Sequence, residues 1–172
     1  MTAISDLALG SYEAAALMGV HFTRAARMYQ SGKIDGRECL PSQNAGSART
    51  FLVYSARSCN DDFLNYDRTQ VGRPRAWVHL RDEALKRLAK TKPAIAYDDA
   101  IGIGDAAKLL KVHHTNVYKL IEAGKIIARC PWNPRKGGAR ILIVSRSSCE
   151  ANRREVAALE SVGKKRGRKR YA

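Results

Sequence analysis

Two clusters of side chains have the chemistry to read the edges of base pairs. Phe22, Thr23, Arg24 and Arg27 form one, and His114, Thr115, Asn116 and Lys119 occupy the matching positions of a second, similar segment. Arginine donates paired hydrogen bonds to guanine, asparagine matches the donor and acceptor of adenine, and an apolar ring packs on a thymine methyl. Each good pairing discriminates by about 1–3 kcal/mol. Both clusters fall at the start of a predicted short helix, the part of a helix that reaches into the major groove. Because the residues differ at matching positions, the first segment is expected to prefer a guanine where the second prefers an adenine.

Catalytic chemistry is not expected. No Ser/His/Asp set or paired carboxylates stand out, and neither a cofactor nor a small-molecule substrate is foreseen. Gly102-x-Gly104-x-x-Ala107 has the spacing of a dinucleotide fingerprint but lacks a surrounding βαβ unit. Gly124-Lys125 is followed by Ile126, which excludes a phosphate loop ending in Lys-Ser/Thr. His21 and His113 share one turn position and are expected to cap helices or touch phosphate.

The elements that must hold these residues are written twice. Glu13–Arg37 and Asp105–Arg129 align without a gap at an offset of 92, with ten of 25 positions identical, including Val20/Val112, His21/His113, Thr23/Thr115 and Gly32/Gly124. Phe51–Cys59 and Ile141–Cys149 match at an offset of 90. The cysteines obey the same repeat, Cys39 with Cys130 and Cys59 with Cys149, without Cys-x-x-Cys spacing, and are read as core residues.

Apolar periodicity predicts helices over Asp105–Leu110 and Thr115–Ala123, and over Tyr12–Met18 and Thr23–Ser31 in the first copy. Gly124 and Gly32 stand where left-handed caps belong. Turn-rich loops at Pro131–Gly138 and Pro41–Ser47 precede returning strands at Arg140–Ser145 and Thr50–Tyr54. Ser147 with Glu150, and Ser58 with Asp61, predict capped third helices ending near Leu159 and Asp67. Trp77, Leu80, Ala84, Leu85 and Leu88 lie on one face of a connector helix. The expected units are residues 1–69, a helical connector over 70–94, residues 95–160, and a disordered polybasic tail over 161–172.

Thirty-one Lys and Arg against sixteen Asp and Glu leave a net charge of +15, which favours nucleic acid or an anionic membrane surface as partner. Six of the last twelve residues are basic and none is acidic. No apolar run approaches the roughly 18 residues of a membrane span, and no secretory signal is visible, so membrane contact is not expected. A cytoplasmic, nucleoid-associated protein of a bacterial cell is the expectation.

Asp105-Ala106-Ala107-Lys108-Leu109-Leu110-Lys111-Val112, followed by Val117-Tyr118-Lys119-Leu120-Ile121 and Gly124-Lys125-Ile126, resembles the excisionase-like branch of the MerR superfamily. The first copy fits through Glu13-Ala14-Ala15-Ala16-Leu17-Met18-Gly19-Val20 and Gly32-Lys33-Ile34. The resemblance implies an α+β fold of tandem winged helix-turn-helix domains that bind double-stranded DNA. Wing residues Arg49, Arg135, Lys136 and Arg140 would then contact phosphate or the minor groove; the tail lies outside the resemblance, and its charge alone makes Lys164, Lys165, Arg166, Arg168, Lys169 and Arg170 an expected tether to phosphates. The expected role is a transcription regulator of a phage or mobile element, with self-association on DNA compatible with it. Alternatives are an excisionase-like architectural factor, a DNA-packaging or segregation adaptor, an RNA-binding protein, and a protein-interaction adaptor working through Trp77, Trp132 or the connector helix.

Overall fold

In a computed structural model, which describes residues 5–41, 50–69, 77–133 and 141–167, the sequence repeat becomes a structural one. The first copy comprises β1 (Ala8–Leu9), α1 (Ser11–Met18), α2 (Phe22–Gln30), β2 (Gly36–Cys39), β3 (Phe51–Ser55) and α3 (Ala56–Thr69). After α4 (Val78–Lys90), the second runs through β4 (Ala100–Ile101), α5 (Ile103–Leu110), α6 (His114–Glu122), β5 (Ala128–Arg129), β6 (Ile143–Ser145) and α7 (Arg146–Gly167). The described residues thus form seven helices and two three-stranded antiparallel sheets, an α+β arrangement with strand orders β1-β3-β2 and β4-β6-β5. Even the register repeats. Leu9 faces Tyr54 as Ile101 faces Val144, and Arg37 faces Val53 as Arg129 faces Ile143.

The same local chemistry shapes both copies. The carboxylates of Glu13 and Asp105 each accept the backbone N–H of the residue just before their helix begins, from Gly10 and Gly102, both at 3.1 Å. An acid in the first turn also suits the positive end of the helix dipole. Left-handed residues end both first helices, Gly19 at φ 67° and Lys111 at φ 57°. Gly32 and Gly124, at φ 69° and 68°, supply the expected left-handed caps after α2 and α6.

At α3 and α7 the capping differs from the expected Ser58–Asp61 and Ser147–Glu150 boxes. Ser55 and Ser145, the last residues of the returning strands, accept the N–H groups of Ser58 and Ser148 at 3.0 and 3.1 Å. Asp6 and Asp99 accept the hydroxyls of those two serines in turn. Ser58 and Ser148 then accept the N–H of Asp35 and Ile127, tying each third helix to the chain before β2 and β5.

Two expected boundaries move. The connector helix is part of the first copy, because Ala84 and Leu88 are buried and Trp77 and Leu85 pack on the same core as Leu9, Leu17 and Tyr54. Trp77 donates its N–H to Gly19 at 2.9 Å, and Arg81 bonds the Leu17 carbonyl and Asn60. The polybasic tail, expected to lack structure from 161, begins inside α7, which runs to Gly167. Good helix formers, Ala157 to Glu160 and Lys164 to Arg166, carry it past Gly163, whose cost is only about 1 kcal/mol.

A half-turn relates the copies. Residues 6–8 run antiparallel to residues 95–97: Ala8 donates to Ile95 and Tyr97 donates to Asp6, both at 2.9 Å, with a bridge between Leu7 and Ala96. The relation shows in a reciprocal contact: Leu40 donates its N–H to Asp105, and the equivalent Trp132 donates to Glu13, the equivalent of Asp105, as in units related by a half-turn. A shared core of Ala8, Cys39, Val53, Ile95, Ala100 and Ile143 fills the contact, with Ala8 and Ala100, and Val53 and Ile143, as equivalent pairs. This is the self-complementary contact of a two-fold dimer, here within one chain.

Candidate nucleic-acid interface

The N-terminal ends of α2 and α6 are built alike. His21 and His113 precede them in extended conformation, and each imidazole Nδ1 lies against a threonine hydroxyl, Thr23 at 2.9 Å and Thr115 at 3.0 Å. In the second copy Nδ1 also accepts the Thr115 N–H at 3.4 Å. The expected capping role is thus met by His113, whereas His21 makes no side-chain bond to a backbone N–H at its helix start. Ala25 and Met28 in α2, and Val117 in α6, turn inward. Thr23, Arg24 and Arg27 are left exposed on one helix, and Thr115, Asn116 and Lys119 on the other.

One of the eight expected base readers, His114, is buried. His114 is only 4 % exposed, its ring centroid 4.0 Å from that of His113 and its Nδ1 buried without a hydrogen-bond partner. Phe22 is half-buried in an aromatic group, 5.0 Å from Tyr12, 4.4 Å from His21 and 6.4 Å from Trp77 between ring centroids. The buried His114 ring is therefore not displayed to a base edge. Arg49, Arg135, Lys136 and Arg140 lie outside the described residues, as do Arg168, Lys169 and Arg170 and the side chains of Lys164, Lys165 and Arg166.

The relative placement of α2 and α6 rests on contacts that sequence reading missed. The chain leaving β2 lies over the start of α5, and the chain leaving β5 lies over the start of α1. Leu40 donates its N–H to Asp105 at 2.9 Å, and the equivalent Trp132 donates to Glu13 at 2.9 Å. Gly104 donates to the Leu40 carbonyl at 3.0 Å. A Cβ on Gly102 would stand 2.2 Å from the Leu40 oxygen, and one on Gly10 would stand 2.6 Å from the Pro131 side chain. The glycine spacing that resembled a dinucleotide fingerprint serves this close approach.

The exchange is strongest on one side. Glu13 holds both Nη atoms of Arg129, at 2.9 and 2.8 Å, with both side chains about 95 % buried. In the other half Arg37 bonds the Asp98 carbonyl at 3.4 Å, and its guanidinium lies 4.5 Å over the Tyr97 ring. Asp105, one methylene shorter than Glu13, holds the backbone of Leu40 instead. The repeat carried a signal for this pair, since Glu13/Asp105 and Arg37/Arg129 open and close the aligned segment.

Cys39, Cys59 and Cys149 are buried, as expected of core residues, whereas Cys130 is exposed. Burial, with a lesser contribution from nearby carboxylates, pushes the Cys39 and Cys149 thiols up to about 11, so both stay protonated and unreactive near neutral pH. Among the described residues no group of three or more His, Cys, Asp and Glu side chains could hold a metal ion, and no helix is long and apolar enough to cross a membrane. Comparison with family models, curated proteins and solved structures gave no match.

Proposed function

We propose that the chain is a sequence-specific double-stranded DNA-binding protein, a fused pseudodimer of winged helix-turn-helix units that reads two unlike half-sites in inverted orientation. The observation that carries this reading is the pairing of two exposed helix starts, Thr23-Arg24-Arg27 and Thr115-Asn116-Lys119, in copies that exchange the Leu40–Asp105 and Trp132–Glu13 contacts reciprocally. DNA half-sites bound by two-fold-related helices are themselves inverted. The resemblance to excisionase-like MerR domains and the charge of +15 support the same reading.

Covalent fusion makes the second half-site contact intramolecular, so two modest readers act at high effective concentration. Fusion also frees the halves to diverge. Arg24 and Arg27 favour guanine, and Asn116 favours adenine. Occupancy of such a site is the means by which the protein regulates a promoter of its phage or mobile element. Competition at about 150 mM salt, where phosphate-only binding is weak, tests the nucleic-acid class. Labelled duplex DNA should be displaced by unlabelled duplex carrying the site and not by structured RNA. Displacement by RNA at equal concentration would refute the reading.

A further inference from the structure

One surface is filled in the first copy and open in the second. In the first copy α4 lies on α1, where Leu17, Met18 and Val20 are at most 2 % exposed. Nothing equivalent to α4 follows the second copy among the described residues, and the matching Leu109, Leu110 and Val112 are only half-buried. Adjoining this surface, and sharing Leu110, Val112 and Arg153 with it, a groove of about 460 Å³ opens between α5, α6 and α7. Leu110, Val112, Leu120 and Val156 form its apolar part, with Val156 46 % exposed, and Lys119, Lys125 and Arg153 line it without any carboxylate.

We propose that this groove docks an amphipathic helix of a partner protein, apolar on one face and acidic beside it. The first copy shows the mode of binding. Trp77 caps the Gly19 carbonyl, and Arg81 reaches the Leu17 carbonyl while its guanidinium stacks 3.8 Å over Phe63. The charge pattern of the second copy differs from the one α4 meets in the first. Arg153 occupies the place of Phe63, so a helix seated in the same way meets a cation where α4 presents one. Glu150, at the place of Asn60, is paired with Arg154 at 3.8 Å. A carboxylate at the Arg81 position complements Arg153, and further acids complement Lys119 and Lys125. Because Lys119 and Asn116 line the same groove, a docked helix and a DNA duplex exclude each other at α6, a consequence that rests on the DNA reading above.

The test uses the full chain and two fluorescent peptides, residues 77–90 unaltered and the same peptide with Arg81→Glu and Lys86→Glu. Anisotropy should show saturable binding of the acidic peptide, at least about tenfold tighter than the unaltered one. Arg153→Glu should invert that preference, and Val156→Asp should weaken the acidic peptide about tenfold or more. Both residues are exposed, so circular dichroism should be unchanged. Failure of the acidic peptide to bind, or indifference to Arg153→Glu, would overturn the proposal. So would a dimer in sedimentation that Val156→Asp dissolves, which would make a second copy the occupant. No DNA enters these measurements, so failure of the DNA reading leaves their outcome untouched.

Discussion

Glu13 and Arg129, 116 positions apart in the chain, form a two-pronged ion pair with nitrogen–oxygen distances of 2.9 and 2.8 Å across the contact between the two halves. The pair lies where the copies exchange chain segments, and its acceptors are nearly saturated. Glu13 also takes the N–H groups of Gly10 and Trp132, and Arg129 also bonds the Ala8 carbonyl. Each carboxylate oxygen therefore has two donors, which offsets much of the cost of burying it.

Removing one partner leaves the other charge buried and alone. Arg129→Ala is expected to destabilise the chain by about 3–5 kcal/mol, and Arg24→Ala, on an exposed surface, by less than about 0.5 kcal/mol. Urea unfolding of both variants checks this, and a loss below about 1 kcal/mol for Arg129→Ala would contradict the buried pair.

Glycines at the exchange and at the caps should respond differently. Gly102→Ala forces a Cβ against the Leu40 oxygen at 2.2 Å and is expected to weaken the contact between the halves. Gly124→Ala meets nothing within 4 Å and costs only the left-handed backbone, about 1–2 kcal/mol. Lys111 already bears that strain at φ 57°, where the first copy has Gly19. Lys111→Gly is therefore expected to raise stability by up to about 1 kcal/mol, read as a higher melting temperature.

Much of this architecture was legible because it was written twice. Periodicity located α1, α2, α5 and α6, and the repeated Gly32 and Gly124 located their caps. Strands β1 and β4 were missed because two residues carry no period. The apolar face of α4 was legible from Trp77 to Leu88, but a helix's own sequence does not say which surface buries that face. His114 was misread for a related reason. Position at a helix start fixes proximity to a groove, whereas exposure depends on how neighbours such as His113 pack, which pattern alone does not show. The half-turn was invisible in sequence because it lives in pairings between copies.

The thiols give a test by labelling and by pH. In the native protein a maleimide should modify Cys130 rapidly and Cys39, Cys59 and Cys149 only after unfolding, as mass spectrometry of digests would show. Cys39 and Cys149 ionise near 9.0 when unfolded and only at about 11 when folded. Above pH 9.0 the unfolded state alone loses these protons. Their contribution to stability is thus full below 9.0 and disappears as the pH rises toward 11. Denaturant midpoints measured from pH 8 to 11 should fall across that window, and a rise would contradict the burial of these thiols.

Base reading should divide between the halves. Arg24→Ala is expected to relax preference in one half-site and Asn116→Ala in the other, by about 1–3 kcal/mol each. His114→Ala should lower stability while leaving preference intact, since its ring is buried. Binding to duplexes mutated in one half at a time separates the cases. Loss of preference in both halves from either exposed variant would argue against two independent readers.

Selection of binding sites from a random duplex library at about 150 mM salt tests the central claim most directly, because phosphate-only binding is suppressed there. The account predicts an enriched site with two unequal halves in inverted orientation, one losing information with Arg24→Ala and the other with Asn116→Ala. Direct repeats, or no enriched sequence at all, would contradict it.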